Sequence, residues 1–198
     1  MTRILFLPGA GGSPDFWKPV GALLPTEWSK EYFGWPGLGN QPHDPAIGGM
    51  DDLVRLVAAR IDEPVDLVAQ SMGGVIAARL ALERPERVAR LVLVATSGGI
   101  DVARLGAAEW RDDYRTALPD VPTWFVDDRT DLTGSLAGIR APTLLLWSDA
   151  DPISPPAVAH DLAARIPGAR LIMVAGGSHA FASERPDEVA SILRSHLA

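Results

Sequence analysis

The amino-acid sequence predicts a three-layer α/β domain built on a mostly parallel sheet of about six strands. Six short runs rich in Val, Leu and Ile recur along the chain, each long enough for a strand and too short for a helix. Several of these runs are apolar continuously rather than alternately, as in strands covered on both faces. Stretches with helical spacing lie between them, and alternating strand and helix implies right-handed βαβ crossovers.

The first run, Arg3–Leu7, passes into the glycine-rich segment Pro8–Ser13, and the second is Lys30–Gly34. In Met50–Ile61 the residues Leu53, Val54, Leu56, Val57 and Ile61 recur near a period of 3.6, with Asp51 and Asp52 suited to the positive end of a helix. Val65–Ala69 is the third run, followed by the helical pattern Met72–Leu82, and Ala89–Val94 is the fourth. After a long gap come Thr143–Trp147, the helical Pro156–Ile166, the sixth run Arg170–Val174 and the helical Pro186–Leu197.

The gap, residues 97–140, holds Trp110, Tyr114, Trp124 and Phe125 beside the acidic pairs Asp112-Asp113 and Asp127-Asp128. A connection this long in a compact domain is usually functional, so we read it as a short lid with those four aromatics as substrate-binding candidates. A crossover helix with ragged ends would give the same composition.

A chain of 198 residues fits one domain spanning 1–198. With 47% hydrophobic and 22% charged residues it can fill one core, which excludes a largely disordered chain. The formal charge of −7, from 25 acidic and 18 basic residues, argues against a nucleic-acid partner and gives no support to adsorption on anionic membranes. There is no cysteine, which excludes disulfides, thiolate metal sites and cysteine nucleophiles. The apolar run Ile4–Leu7 is shorter than the ~7–15 residues of a signal-peptide core, and no stretch approaches the ~18 of a membrane span. A cytoplasmic protein is the expectation; the sequence leaves the oligomeric state open.

The segment Val65–Ala77 carries the most chemistry. An apolar strand runs directly into Ala69-Gln70-Ser71-Met72-Gly73, and a helix pattern follows at once. A serine on so tight a strand-to-helix turn has a strained backbone, and the residues two before and two after it must be small. The same turn aims the Met72 N–H at the place where an oxyanion would form. An N-cap serine flanked by packing glycines would read alike on this segment alone. The loop Pro8–Ser13 can bring a second backbone N–H, that of Ala10, to the same place. A dinucleotide loop is the competing reading, but its third glycine position is Pro14 and no acid ends the second strand.

Serine chemistry at neutral pH needs a base, and histidine with its ordinary pKa near ~6.5 supplies one. Of the four histidines, His160 and His196 fall inside helical patterns and read as solvated, while His43 lies in a proline-rich loop. Only His179 directly follows a strand end, on the carboxyl edge that carries the Ser71 turn. Asp149 and Asp151 both follow the fifth strand on that edge. The chain order is thus Ser, Asp, His.

These residues resemble those of the α/β-hydrolase superfamily along nearly the whole chain. Ala141–Trp147 through Asp151-Pro152-Ile153, then Ile166–Leu171 and Gly176–His179, are similar to the C-terminal half of that family's ester and C–C hydrolases. Glu184–Val189 is similar to the family's final helix start, and Gly34–Gly39 to the loop after its next strand. The resemblance implies a minimal α/β-hydrolase fold and places the acid at Asp151, with Ala10 and Met72 as oxyanion donors. The departures are Pro8-Gly9 where His-Gly is common, Ala69 where glycine is common, a missing antiparallel edge hairpin and a short lid. A serine at 71 also counts against dehalogenases and epoxide hydrolases of this fold, which use aspartate there.

The expectation is a serine hydrolase cleaving a small ester, lactone or thioester through an acyl-enzyme on Ser71, with Asp151 and His179. It requires no cofactor and no metal, and its partner is a small-molecule ester-type substrate. Carbon–carbon bond hydrolysis or lyase chemistry by the same triad is the alternative, and a non-catalytic ligand-binding protein is a further one.

Overall fold

The computed structural model describes residues 2–119 and 121–198. Its strands are β1 (Arg3–Leu7), β2 (Ser29–Tyr32), β3 (Val65–Gln70), β4 (Val88–Val94), β5 (Thr143–Ser148) and β6 (Arg170–Val174). They form one sheet in the order β2-β1-β3-β4-β5-β6, and all five pairings are parallel. The helices are α1 (Lys18–Ala22), α2 (Met50–Ala58), α3 (Met72–Glu83), α4 (Arg111–Ala117), α5 (Pro156–Arg165), α6 (Phe181–Glu184) and α7 (Pro186–Leu197). Among the described residues, none of them is long and apolar enough to cross a membrane.

Alternate residues of each central strand feed opposite cores, which explains why the runs are apolar throughout. Leu5, Leu67, Leu91, Leu93 and Leu145 pack on one face with Leu53 of α2, Ile76 of α3 and Leu162 of α5. Ile4, Phe6, Val68, Val92, Leu144 and Leu146 pack on the other with Val20 of α1, Phe181 of α6 and Val189 of α7. Every residue of β3 and β5 is buried. The second strand ends at Tyr32, two residues before its expected limit, because the chain leaves the sheet to pair Trp35 N with Gly12 O at 2.9 Å.

The chain reverses direction across the sheet at β1, which lies between β2 and β3. Such a switch point opens a crevice at the carboxyl ends of the two diverging strands. The loop after β1 and the turn after β3 flank that crevice.

Residues 97–140 form short 3₁₀ turns at Ala103–Leu105 and Leu136–Gly138 with α4 between them. Their four aromatics make one cluster centred on Phe125, which is only 6% exposed. Trp110 stacks on it at 6.3 Å, and Tyr114 and Trp124 meet it edge-on at 5.0 and 5.6 Å. The segment touches loops on the carboxyl edge of the sheet: Ala108 N donates to Pro152 O at 2.8 Å, and the Tyr114 hydroxyl to Ala10 O at 3.2 Å.

Candidate active site

Ser71 sits at the junction of β3 and α3 with φ 51° and ψ −121°, where an L-residue is strained by about 1–3 kcal/mol. The turn is held without help from the serine side chain: Ser71 N donates to Val94 O at 3.0 Å, and the Thr96 hydroxyl to Ser71 O at 2.6 Å. Close approach explains the small neighbours. A Cβ at Gly73 would lie 2.5 Å from Pro8 O, and one at Gly9 would lie 2.9 Å from the Ser71 Cβ. The Ser71 hydroxyl makes no capping bond to α3, so the N-cap reading does not describe it. It lies 3.0 Å from His179 Nε2 instead.

His179 projects from the turn between β6 and α6. Its Nδ1 lies 2.7 Å from Asp151 Oδ2, and the Asp151 side chain is wholly inaccessible to solvent. The other carboxylate oxygen accepts from Ile153 N at 2.9 Å and Ser154 N at 3.1 Å. An ionised carboxylate only accepts, so Nδ1 carries the donated proton, and a neutral imidazole then offers Nε2 as acceptor to the serine hydroxyl. Asp149 is exposed and serves the loop rather than the ring: its Oδ1 accepts from Gly176 N at 2.6 Å.

Ala10 and Met72 flank the serine from the loop after β1 and the start of α3. Neither N–H meets a backbone acceptor among the described residues. The Met72 N–H is one of the orphan donors of a helix's first turn, where the helix dipole adds partial positive charge. Of the four aromatics, Tyr114 reaches this loop through Ala10 O, and burial pushes its phenol above the ordinary range. Trp110, Trp124 and Phe125 pack with it in the cluster, and the Trp124 indole N–H is buried without a partner among the described residues.

The other histidines are elsewhere. His43 and His160 are exposed. His196, read from its helical position as solvated, is half-buried, with Nε2 enclosed and without a partner among the described residues; burial pushes its pKa below the usual range.

Several supporting residues escaped the sequence reading. Gln70 Nε2 donates to His179 O at 3.1 Å, tying the strand that precedes Ser71 to the histidine turn. The Ser148 hydroxyl donates to Gly177 O at 2.7 Å. Ser154 Oγ donates to Thr96 O at 3.2 Å, and Trp147 Nε1 to Ser154 O at 2.9 Å, so the serine and aspartate turns are linked. Trp35 Nε1 reaches Pro8 O and Gly9 O at 3.0 and 3.1 Å. Their available signal was a polar residue at the end of an apolar strand, as in Gln70 and Ser148.

Comparison with known proteins agrees with this architecture. The family model described as the alpha/beta hydrolase fold matches residues 2–132, and one described as the alpha/beta hydrolase family matches 99–192. The chain therefore belongs to the α/β-hydrolase family. Among its relatives, the pimeloyl-[acyl-carrier protein] methyl ester esterase of Neisseria meningitidis serogroup A is 25% identical, over 91% of this chain and 72% of its own. RutD of Azorhizobium caulinodans, provisionally named a carbamate hydrolase, is 27% identical over 94% of this chain and 87% of its own. A hydrolase from Pseudomonas aeruginosa superposes with a TM-score of 0.81 at 21% identity, covering 100% of this chain and 90% of that one.

Proposed function

We propose that this protein is a serine hydrolase that cleaves small-molecule esters through an acyl-enzyme on Ser71. The observation that carries the reading is the unbroken relay from a strained serine through His179 Nε2 and Nδ1 to a buried, doubly hydrogen-bonded Asp151. The esterase among the relatives supports the choice of bond.

In this reading Ser71 Oγ attacks the ester carbonyl carbon while its proton passes to His179 Nε2. Asp151 stays ionised, holds the Nδ1–H tautomer and stabilises the imidazolium. The carbonyl oxygen becomes an oxyanion between the Ala10 and Met72 N–H groups, each such donor contributing about 10²–10³ in rate. Collapse expels the alcohol, which takes the proton from Nε2. Water then repeats the sequence on the acyl-enzyme, releasing the acid and restoring the serine. Residues 97–140 act as the lid of this single domain, with the acyl group against their aromatics.

The test is hydrolysis of nitrophenyl esters of graded acyl length, beside thioesters, carbamates and β-diketones. Turnover should be fastest on esters; cleavage of the diketones with inert esters would overturn the reading in favour of carbon–carbon chemistry. The same series tests the lid. Trp124→Ala should shift the preference between short and long acyl chains. Phe125→Ala, at the buried centre of the cluster, should lower stability by about 3–5 kcal/mol as large core truncations do. An unchanged chain-length preference in Trp124→Ala would make that residue ordinary packing.

A further inference from the structure

We infer that Trp35 is a positioning residue for the oxyanion hole, acting on Ala10 through the peptide that joins it to Gly9. The inference deepens the proposed function and rests on it. Trp35 is completely buried, and its indole N–H is shared between Pro8 O at 3.0 Å and Gly9 O at 3.1 Å. Gly9 O also accepts from Gly12 N at 3.0 Å, and Trp35 N donates to Gly12 O at 2.9 Å. Trp35 thus holds the loop after β1 through both its side chain and its backbone N–H.

The consequence follows from peptide geometry. The Gly9 carbonyl and the Ala10 N–H belong to one planar unit, which is trans, so they point in opposite directions. Two donors on the carbonyl therefore fix the direction of the Ala10 N–H, and Gly9 itself abuts Ser71, since a Cβ built on it would lie 2.9 Å from the Ser71 Cβ. They also draw electron density from the carbonyl, which strengthens the N–H on the same peptide as a donor. The oxyanion site is therefore aimed before substrate arrives.

Trp17 supplies a matched contrast. It is equally buried, and its indole donates to Leu7 O at 3.0 Å. That carbonyl belongs to the Leu7–Pro8 peptide, which has no N–H because proline follows. Losing the Trp17 bond costs stability without misaiming an oxyanion donor.

The experiment compares Trp35→Phe with Trp17→Phe in the full chain. It reads kcat and KM on a nitrophenyl ester, and inhibition by a trifluoromethyl ketone, whose serine adduct places an oxyanion in the hole. Trp35→Phe should lose about 10- to 100-fold in kcat and weaken the ketone by a similar factor, with KM within about twofold, since misaiming a donor costs at most its removal. Trp17→Phe should change neither kcat nor the ketone by more than about threefold, whatever it does to the melting temperature. If Trp35→Phe fails to fold, benzothienylalanine at position 35 keeps the shape, lacks the N–H and should give the same losses. Unaltered kcat and ketone inhibition in the folded position-35 variant, or equal losses in Trp17→Phe, would overturn this inference alone. A wild-type protein that the ketone does not inhibit would overturn the proposed function with it.

Discussion

Ser71→Ala should lose about 10⁴–10⁶ in kcat and keep its fold, a loss of the size seen when a nucleophile acting as part of a unit is removed. Among the described residues, the hydroxyl's one side-chain hydrogen-bond partner is His179 Nε2, at 3.0 Å. The bonds that hold the strained turn run through backbone atoms, Ser71 N to Val94 O and Thr96 Oγ1 to Ser71 O. Alanine keeps the Cβ, so the packing beside Gly9 is unchanged. Comparable melting curves for the two proteins, with turnover lost in one, separate chemistry from folding. Near-normal turnover by the folded variant would remove the nucleophile from the account.

The second large effect distinguishes two aspartates two residues apart. Asp151→Asn should cost about 10⁴ in kcat, the loss that the equivalent change produces in serine proteases through the wrong histidine tautomer. The expectation rests on Asp151 Oδ2 facing His179 Nδ1 at 2.7 Å from a fully buried position. An amide there can donate to Nδ1 and leave the proton on Nε2, facing the serine hydroxyl that needs an acceptor. Asp149→Asn should stay within about tenfold, a change of ~1.4 kcal/mol, because its amide oxygen can still accept from Gly176 N. Measured kcat values in the reverse order would assign the acid to Asp149.

Much of this site was legible because each of its three polar groups lies in the segment that follows an apolar strand. Ser71, Asp151 and His179 leave β3, β5 and β6 on one edge of a parallel sheet, so their order and their meeting place both follow from the pattern of runs. The choice between Asp149 and Asp151 was less legible from spacing. It depends on the turn through Ile153 and Ser154, which folds the second carboxylate inward and donates two backbone N–H groups to it.

What the sequence hid is contact between residues far apart in it. Gln70 holds the carbonyl of His179 across 109 positions, and Trp35 holds Gly9 O across 26, and neither pairing leaves a periodic trace. His196 fails the helical reading for a related reason. Periodicity on α7 says which residues face its own sheet, but not that the chain near Leu91 and Pro142 also encloses the histidine. The aromatics of 97–140 were visible as composition. Their order around Phe125, and the bond from the Tyr114 hydroxyl to Ala10 O, depend on the folding of the whole segment and leave no periodic trace.

The most direct measurement of the central claim is reaction with a fluorophosphonate, followed by peptide mapping. An activated serine attacks phosphorus and expels fluoride, whereas an ordinary hydroxyl does not react at the same rate. The account predicts one phosphonyl group per folded chain, on the peptide that contains Ser71, with no adduct in Ser71→Ala or in the denatured protein. A folded chain that stays unlabelled, or one labelled at a different serine, would contradict it.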